Sequence, residues 1–328
     1  MRAIQASRYG DSSVLTLNDA PIPEPGDDDV LVKLDCAGIN FIDVYMREGH
    51  YKDSRTYLNA PPFTIGMEGA GTVASLGKNV THLKERDRVA YCLSLGSYAE
   101  YAVVPAWRLV KIPDVVETNI GAALMLQGCT AHYLSHALFP LNDDHTCLIH
   151  AAAGGVGQIL TQLAKIRGAY VIATVGTDEK AEIARRRGAD FAINYNEADF
   201  ASVVKDITDG RMVDVVYDSV GAATYDRSMK CLKKRGTLAL FGAASGRVPP
   251  IDPIELAESG SLFLTRPHQA DYMQDHNEIN GRAQDLFNYV AAGKLHVSID
   301  TVFPLQDAKT AHDTIEGRQT KGKLLLAV

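Results

Sequence analysis

From residue 146 the chain settles into a regular rhythm. TCLIHA, AYVIATV, DFAIN, VDVVYD and GTLALFG are short apolar runs with the composition of buried strands. Between them lie GQILTQLAKIRG, DEKAEIARRRG and further stretches with helical spacing, and SLFLT at 261–265 closes the series. Strands that alternate with helices are covered on both faces, which a parallel, doubly wound sheet provides. The alternation fixes an α/β class for this half of the chain before any motif is considered.

The first connection of the series is HAAAGGVGQ, residues 150–158. Gly154, Gly155 and Gly157 permit a tight turn and a close approach of the backbone to a pyrophosphate. The helix that opens near Val156 aims its free N–H groups at that anion. An ordinary βα turn is the plain alternative, but a strand before, a helix after and a second strand from Ala169 are the setting a dinucleotide motif needs. No Gly-Lys-Ser/Thr follows, so the loop is not a P-loop. In NAD sites an acid about 20 residues beyond the first glycines binds the ribose 2′-hydroxyl. Here the second strand ends Thr174, Val175, Gly176, Thr177 with no acid at its tip. Lys180 follows in the first helical turn, where a cation opposes the helix dipole unless an anion lies nearby, and Tyr195 ends the next strand. Thr177, Lys180 and Tyr195 together suit a 2′-phosphate and favour NADP over NAD; a solvated lysine and an edge tyrosine are the alternative.

The first half reads differently. Apolar runs at 3–6, 14–17, 30–37, 69–76, 88–91 and 97–104 are separated by turns, among them PIPEPGDDD and the PPF at 61–63. Short strands at close spacing predict a β-barrel-like domain. Residues 120–139 have helical spacing. The last stretch, with an amphipathic helix over 280–292, a strand near Val297 and the ending KGKLLLAV, does not extend the alternation and is expected to return to the first domain. The expected organisation is therefore a substrate domain of 1–125 and 268–328 around a dinucleotide-binding domain of 126–267.

The 328 residues suit about two domains. A net charge of −7 gives no global attraction to nucleic acid. The five Cys are scattered without a CxxC pair and read as reduced thiols of a cytoplasmic protein, and neither a secretory leader nor a membrane span is apparent. The ten His have no ligand spacing, so no metal is expected.

The chain resembles the quinone oxidoreductases (the zeta-crystallin group) of the medium-chain dehydrogenase/reductase superfamily. The residues that carry the resemblance run from end to end: AGINFIDVYMREG, GMEGAGTV, HAAAGGVGQ, VGTDEK, INY, VVYDSVG, FGAASG, LTRP and KGKLLL. Ala151, Gly154 and Gly157 meet the family's AxxGxxG motif. The resemblance implies a GroES-like first domain, a Rossmann domain, NADPH as cofactor, a homodimer formed through sheet edges, and hydride transfer to a substrate in the cleft between domains. Zinc-dependent relatives place a His after the glycine of the GMEG segment and a Cys near Gly38, Ile39 and Asn40. Met67 stands in the first place and no Cys in the second. A site without zinc points to an acceptor that is already electrophilic, a quinone or an activated alkene, rather than to alcohol oxidation.

On the same resemblance Asn40, Asp43, Tyr45 and, more weakly, Tyr51 line the substrate. Asn40 and Tyr45 would donate to a carbonyl oxygen, and Asp43 would orient Tyr45 or the nicotinamide ribose, or simply cap a helix. Phe41, Ile42 and Val44 belong to the same segment. Gln127 and Thr130 are expected near the nicotinamide, and Tyr133 either at the cofactor or in the core. Gly155 and Val156 serve the pyrophosphate; Gly176, Thr177, Lys180 and Tyr195, with Arg318 reaching back, serve the adenosine phosphate. Ser219, then Phe241, Gly242, Ala243 and Ala244, then Phe263, Leu264 and Thr265, follow later strands and flank the nicotinamide. The leading expectation is an NADPH:quinone oxidoreductase. An NADPH-dependent 2-alkenal or enone reductase is the nearest alternative, and a non-catalytic NADPH-binding structural or RNA-binding protein a third.

Overall fold

The computed structural model describes residues 1–54, 56–57, 60–317 and 320–328. The chain divides into two compact units, one of Met1–Cys129, Met273–Gly293 and Val297–Val328, the other of Thr130–Tyr272 and Lys294–His296.

The first unit contributes β1 (Arg2–Ala6), β2 (Leu15–Asp19), β3 (Asp29–Ile39), α1 (Phe41–Arg47), β4 (Phe63–Thr64), β5 (Glu68–Leu76), β6 (Arg88–Cys92), β7 (Tyr101–Pro105), β8 (Val110–Lys111) and α2 (Thr118–Met125). The helix α3 (Gln127–Tyr133) crosses the division. A division inside a helix leaves no turn residue in the sequence, so the units part a few residues later than expected. Residues 120–139 are not one helix either: α2 and α3 are followed by a π-helical turn, Leu134–Leu138.

The second unit is the alternating series: β9 (Thr146–His150), α4 (Gly155–Ile166), β10 (Tyr170–Val175), α5 (Asp178–Arg186), β11 (Phe191–Asn194), α6 (Phe200–Ile207), β12 (Val213–Asp218), α7 (Tyr225–Lys230), β13 (Leu232–Leu240), α8 (Pro253–Glu258) and β14 (Phe263–Thr265). The chain then re-enters the first unit through α9 (His276–Ala291), β15 (Ile299–Pro304), α10 (Ala308–Glu316) and β16 (Lys323–Ala327).

In the second unit the strand order is β11-β10-β9-β12-β13-β14, every pairing parallel. This is the order of a Rossmann sheet, which reverses direction between β9 and β12. Leu148, Ile172, Val216 and Leu238 from the central strands meet Phe200 and Val204 of α6 in one apolar cluster. The carboxyl ends of all the strands lie along one edge, so every loop that follows a strand opens there.

In the first unit β15-β16-β3-β5-β6-β8 form one sheet, with β7 also on β3, and β2-β1-β4 form another. Residues 97–104 are not one strand. Ile4 and Tyr98 exchange backbone bonds with each other's neighbourhood in the small sheet, through Ile4 N–H to Tyr98 O and Tyr98 N–H to Ile65 O, before Tyr101 joins β3. The chain steps from one sheet to the other at this point. The C-terminal strand β16 pairs antiparallel with the end of β3, Leu324 opposite Ile39. The helix α10, not anticipated from sequence, packs Ala308, Ala311 and Ile315 into the cluster that holds Ile4, Val44 and Tyr98. Among the described residues no helix is long and apolar enough to cross a membrane.

Candidate active site

The turn after β9 is built for close approach. Ala151 adopts φ 52° and Gly154 N–H bonds Ala151 O at 2.9 Å. A Cβ on Gly157 would run into Ala151 O and lie 2.7 Å from Ala152 Cα, so only glycine lets α4 start this near the strand. The first N–H groups of α4, from Gly155 and Val156, have no acceptor within the helix and face the carboxyl edge of the sheet.

Beneath this turn His150 is buried between Thr174 Oγ1 at 2.7 Å and Ser228 Oγ at 2.9 Å. Ser228 donates to Asp218 Oδ2, so its oxygen accepts from His150 Nε2–H and His150 Nδ1 accepts from Thr174. Burial holds the imidazole below its ordinary range, against the pull of Asp218. One neutral histidine thus ties together the ends of β9, β10 and β12.

At the tip of β10, Thr177 caps α5 by accepting Lys180 N–H at 3.3 Å. Tyr195 is exposed, and its hydroxyl would lie 2.7 Å from a Cβ on Gly176. Asn196, which the sequence reading passed over, donates to Gly176 O at 2.7 Å. Gly176, Thr177, Lys180 and Tyr195 are therefore gathered at one corner of the carboxyl edge. Arg318 lies outside the described residues.

The loops after β12 and β13 are sewn together. Ala244 N–H bonds Ser219 O, and Ser245 Oγ bonds Val220 O at 2.7 Å. A Cβ on Gly242 would strike the Ser219 backbone. Ser219, Phe241, Gly242, Ala243 and Ala244 are all half-buried at that edge. Leu264 and Thr265 end β14 there. Phe263 does not reach the edge: it pairs with Thr237, short of the carboxyl end of β13, and is exposed. Thr130 is buried in α3, and Tyr133 stacks on Tyr272 at 4.4 Å, so Tyr133 is core.

In the first unit the expected substrate segment is α1 and its two ends. Tyr45 and Tyr51 are half-buried and meet edge to face at 6.2 Å, and Tyr51 meets Tyr57 at 5.1 Å. Phe41 and Ile42 are half-buried, but Val44 faces the core. Asp43 makes no bond to Tyr45. It is fully buried, accepts Asn40 N–H at 2.8 Å and Tyr98 O–H at 3.1 Å, and leaves its Oδ1 without a hydrogen-bond partner. Burial pushes its carboxyl up to about 7. Asp43 thus caps α1 and does not orient Tyr45. Tyr98 in turn meets His312 Nε2 at 3.3 Å, and His312 Nδ1 meets Arg47 Nη1 at 3.0 Å. The guanidinium can only donate, so His312 carries its proton on Nε2; burial holds it down to about 3.

Asn40 is turned inward, which the sequence did not reveal. Its Nδ2 donates to Glu68 Oε2 at 2.8 Å and its Oδ1 accepts from Lys323 Nζ at 2.7 Å. Lys323 and Glu68 form an ion pair at 2.5 Å, both side chains almost fully buried, and Glu68 also accepts Leu126 N–H. A Cβ on Gly38 would collide with the Glu68 carboxylate. Gln127, next along, has a buried Oε1 with no hydrogen-bond partner.

Met67 is buried, and Cys92 Sγ lies 3.2 Å from Met125 O. Among the described residues no three His, Cys, Asp or Glu gather as metal ligands. All five cysteines are free and buried, and burial pushes the Cys36, Cys129 and Cys231 thiols up to about 12.

Two family models match the chain, the alcohol dehydrogenase GroES-like domain over residues 26–114 and the zinc-binding dehydrogenase over residues 155–268. A quinone oxidoreductase of Pseudomonas aeruginosa is 39% identical over 99% of this chain and 99% of its own. A 2-haloacrylate reductase of a Burkholderia species is 42% identical over 94% of this chain and 93% of its own. The crystal structure of Escherichia coli quinone oxidoreductase complexed with NADPH superposes with a TM-score of 0.96 at 37% identity over the whole of both chains. With a Rossmann unit, a GroES-like unit and full-length relatives at this identity, the chain belongs to the quinone oxidoreductase group of the medium-chain dehydrogenase/reductase superfamily.

Proposed function

We propose that this chain is an NADPH-dependent oxidoreductase whose acceptor is a quinone. The observation that carries the proposal is the carboxyl edge of the Rossmann sheet: a glycine turn that tolerates no Cβ at Gly157, followed by a corner with Lys180 and no acid at the tip of β10. The E. coli relative, named for quinone and complexed with NADPH, supports both halves. Gly154, Gly155 and Val156 would hold the pyrophosphate, and Thr177, Lys180 and Tyr195 the 2′-phosphate. The orphaned Gln127 Oε1 fits a ligand that donates a hydrogen bond. NADPH, when bound, supplies the hydride.

Tyr45 and Tyr51 would face the acceptor, with hydroxyls for its oxygens and rings for its plane. Asn40, gripped by Lys323 and Glu68, has one amide N–H left to offer. The zinc named by the second family model does not fit these residues. Met67 offers a buried thioether, Cys92 is a buried thiol whose burial pushes it well up, and Glu68 is already neutralised by Lys323. We infer a zinc-independent reaction from this donor set. Two copies would associate through a free sheet edge, and β14, at the end of its sheet with Phe263 exposed, offers one.

The 2-haloacrylate reductase at 42% identity favours a second reading, reduction of an activated alkene. Purified, chelator-treated protein mixed with NADPH or NADH and an ortho-quinone, a para-quinone, a short enal or a 2-haloacrylate separates the two. Fast, NADPH-selective oxidation with a quinone is the expected result. Turnover of the alkenes alone would move the assignment to the second reading, and tight NADPH binding without any turnover would remove both.

A further inference from the structure

Reduction of a quinone or an enone leaves an oxyanion that must take up a proton, and the carboxyl of Asp43 is fully buried. The segment after α1 contains a different group. His50 stacks on the Tyr45 ring, centroids 5.7 Å apart and planes 24° from parallel, with its backbone N–H bonded to Tyr45 O at 2.9 Å. Its Nε2 lies 3.5 Å from Glu48 Oε2, and the other oxygen of Glu48 accepts from the buried Arg47. The imidazole side chain is 47% exposed. The stacking fixes the ring against the tyrosine expected to meet the substrate, the Glu48 carboxylate lies beside its Nε2, and the exposure lets the ring recover a proton from water.

We propose that His50, backed by Glu48, is the general acid that protonates the reduced substrate oxygen. The assignment rests on the proposed function, because it takes Tyr45 and Tyr51 to border the acceptor. A quinone that has accepted a hydride, with its electron pair, is a hydroquinone monoanion. The N–H bond of the His50 imidazolium breaks, an O–H bond forms on the oxyanion, and His50 is left neutral until water reprotonates it. Quinone, hydride and proton sum to hydroquinone, with NADP⁺ as the oxidised product, so no further reductant is needed. The same transfer serves an enolate oxygen.

Several titratable groups surround His50. Tyr45 of α1 and Glu48 face it, Arg47 bonds Glu48, and Tyr51 meets Tyr45 edge to face. Lys52 and Asp53 follow in the same loop, both exposed. Tyr9 lies against Gly49.

His50→Gln keeps a hydrogen-bond donor of similar reach and removes the titration; the exposed position makes the fold tolerant of it. The test has two arms, both on protein loaded with NADP⁺ or NADPH. In the first, 4-nitrophenol is bound and its absorbance followed with pH. The unaltered protein should hold the phenolate, with the bound probe ionising at a pH lower by about one unit than in His50→Gln. In the second, kcat/KM for a para-quinone is followed with pH. The alkaline fall of the unaltered protein should vanish in His50→Gln, with about a tenfold or greater loss at pH 6 and an unchanged KM for NADPH. Equal probe ionisation in both proteins, or no phenolate binding by the unaltered protein, would overturn the assignment, as would an alkaline limb that survives in His50→Gln. If the unaltered protein turned over no quinone, the proposed function would fail by that result, and the phenolate arm would still decide His50.

Discussion

In the proposed function Lys180 is the residue on which cofactor choice turns. Its ammonium, in the first turn of α5, is an unfavourable neighbour for the helix dipole and a favourable one for a phosphate. Lys180→Ala should therefore raise KM for NADPH by about tenfold and leave KM for NADH nearly unchanged, since only the first carries a 2′-phosphate. Steady-state rates with the two cofactors check it, and equal effects would remove the phosphate role. The proposal for Lys180 could be drawn from the sequence because it follows from a position: a strand tip without an acid, then a lysine. The setting of Asp43 could not. Its neighbours Tyr98 and His312 come from 55 and 269 positions away, so nothing local reveals that its carboxyl is enclosed. The enclosure has a consequence for pH. Asp43, pushed up to about 7, keeps its proton in the fold where the unfolded chain has lost it, so its contribution to stability is full below about pH 4 and is lost as pH rises through about 7. His312, held down to about 3, acts in the opposite sense: its contribution is full above about pH 6.5 and is lost as pH falls through about 3. Between about pH 4 and 6.5 the fold binds a proton at Asp43 and the unfolded chain binds one at His312, and the two slopes cancel. Urea unfolding of His312→Gln should therefore lose stability relative to the parent as pH rises through that window, by about 1.4 kcal/mol per unit at most. Parallel curves for the two proteins would mean that His312 is not held neutral in the fold, and a flat curve for His312→Gln over that window would mean that Asp43 does not hold the proton.

At the scale of elements, the Lys323–Glu68 pair joins β16 to β5, and through Asn40 and Leu126 it reaches the ends of β3 and α2. A buried ion pair is costly to break because the survivor is left charged and unsolvated. Lys323→Met should destabilise the protein by about 3–5 kcal/mol, and Glu68→Gln added to it should restore much of the loss. Denaturant midpoints of the single and double variants check this, and a double variant as unstable as the single one would show that the charge was not the cause. The strands from 146 to 265 were readable as short apolar runs that alternate with helical spacing, whereas α8, which buries no residue, left no such signal. The helix α10 was passed over although its spacing is amphipathic: its buried face is Ala308, Ala311, His312 and Ile315, where the histidine reads as polar until Arg47 and Tyr98 are brought against it. Lys323 hid for a related reason: it sits before LLL in a strand, where lysine reads as a solvated edge until Glu68 is brought beneath it.

For the molecule as a whole, the binding of NADPH and the proposed independence of zinc make one joint prediction, since a ligand that binds only the folded chain raises its apparent stability. At about a hundredfold over its dissociation constant, NADPH should add about 2.7 kcal/mol, and NADH at the same concentration distinctly less. Prolonged dialysis against a strong zinc chelator should leave the unfolding midpoint where it was, both without cofactor and with NADPH. The two measurements constrain each other. If the chelator lowered the midpoint, a metal would be contributing to the fold through ligands other than Met67 and Cys92, and the case for an electrophilic acceptor, which rests on the donor set, would weaken with it. If instead NADPH and NADH stabilised equally while the chelator did nothing, the corner formed by Thr177, Lys180 and Tyr195 would be an ordinary polar surface, and the glycine turn would be left to bind a dinucleotide without discriminating its phosphate. Only the combination of cofactor selectivity with indifference to the chelator agrees with a protein in which Lys180 reads the phosphate and the ammonium of Lys323 neutralises Glu68.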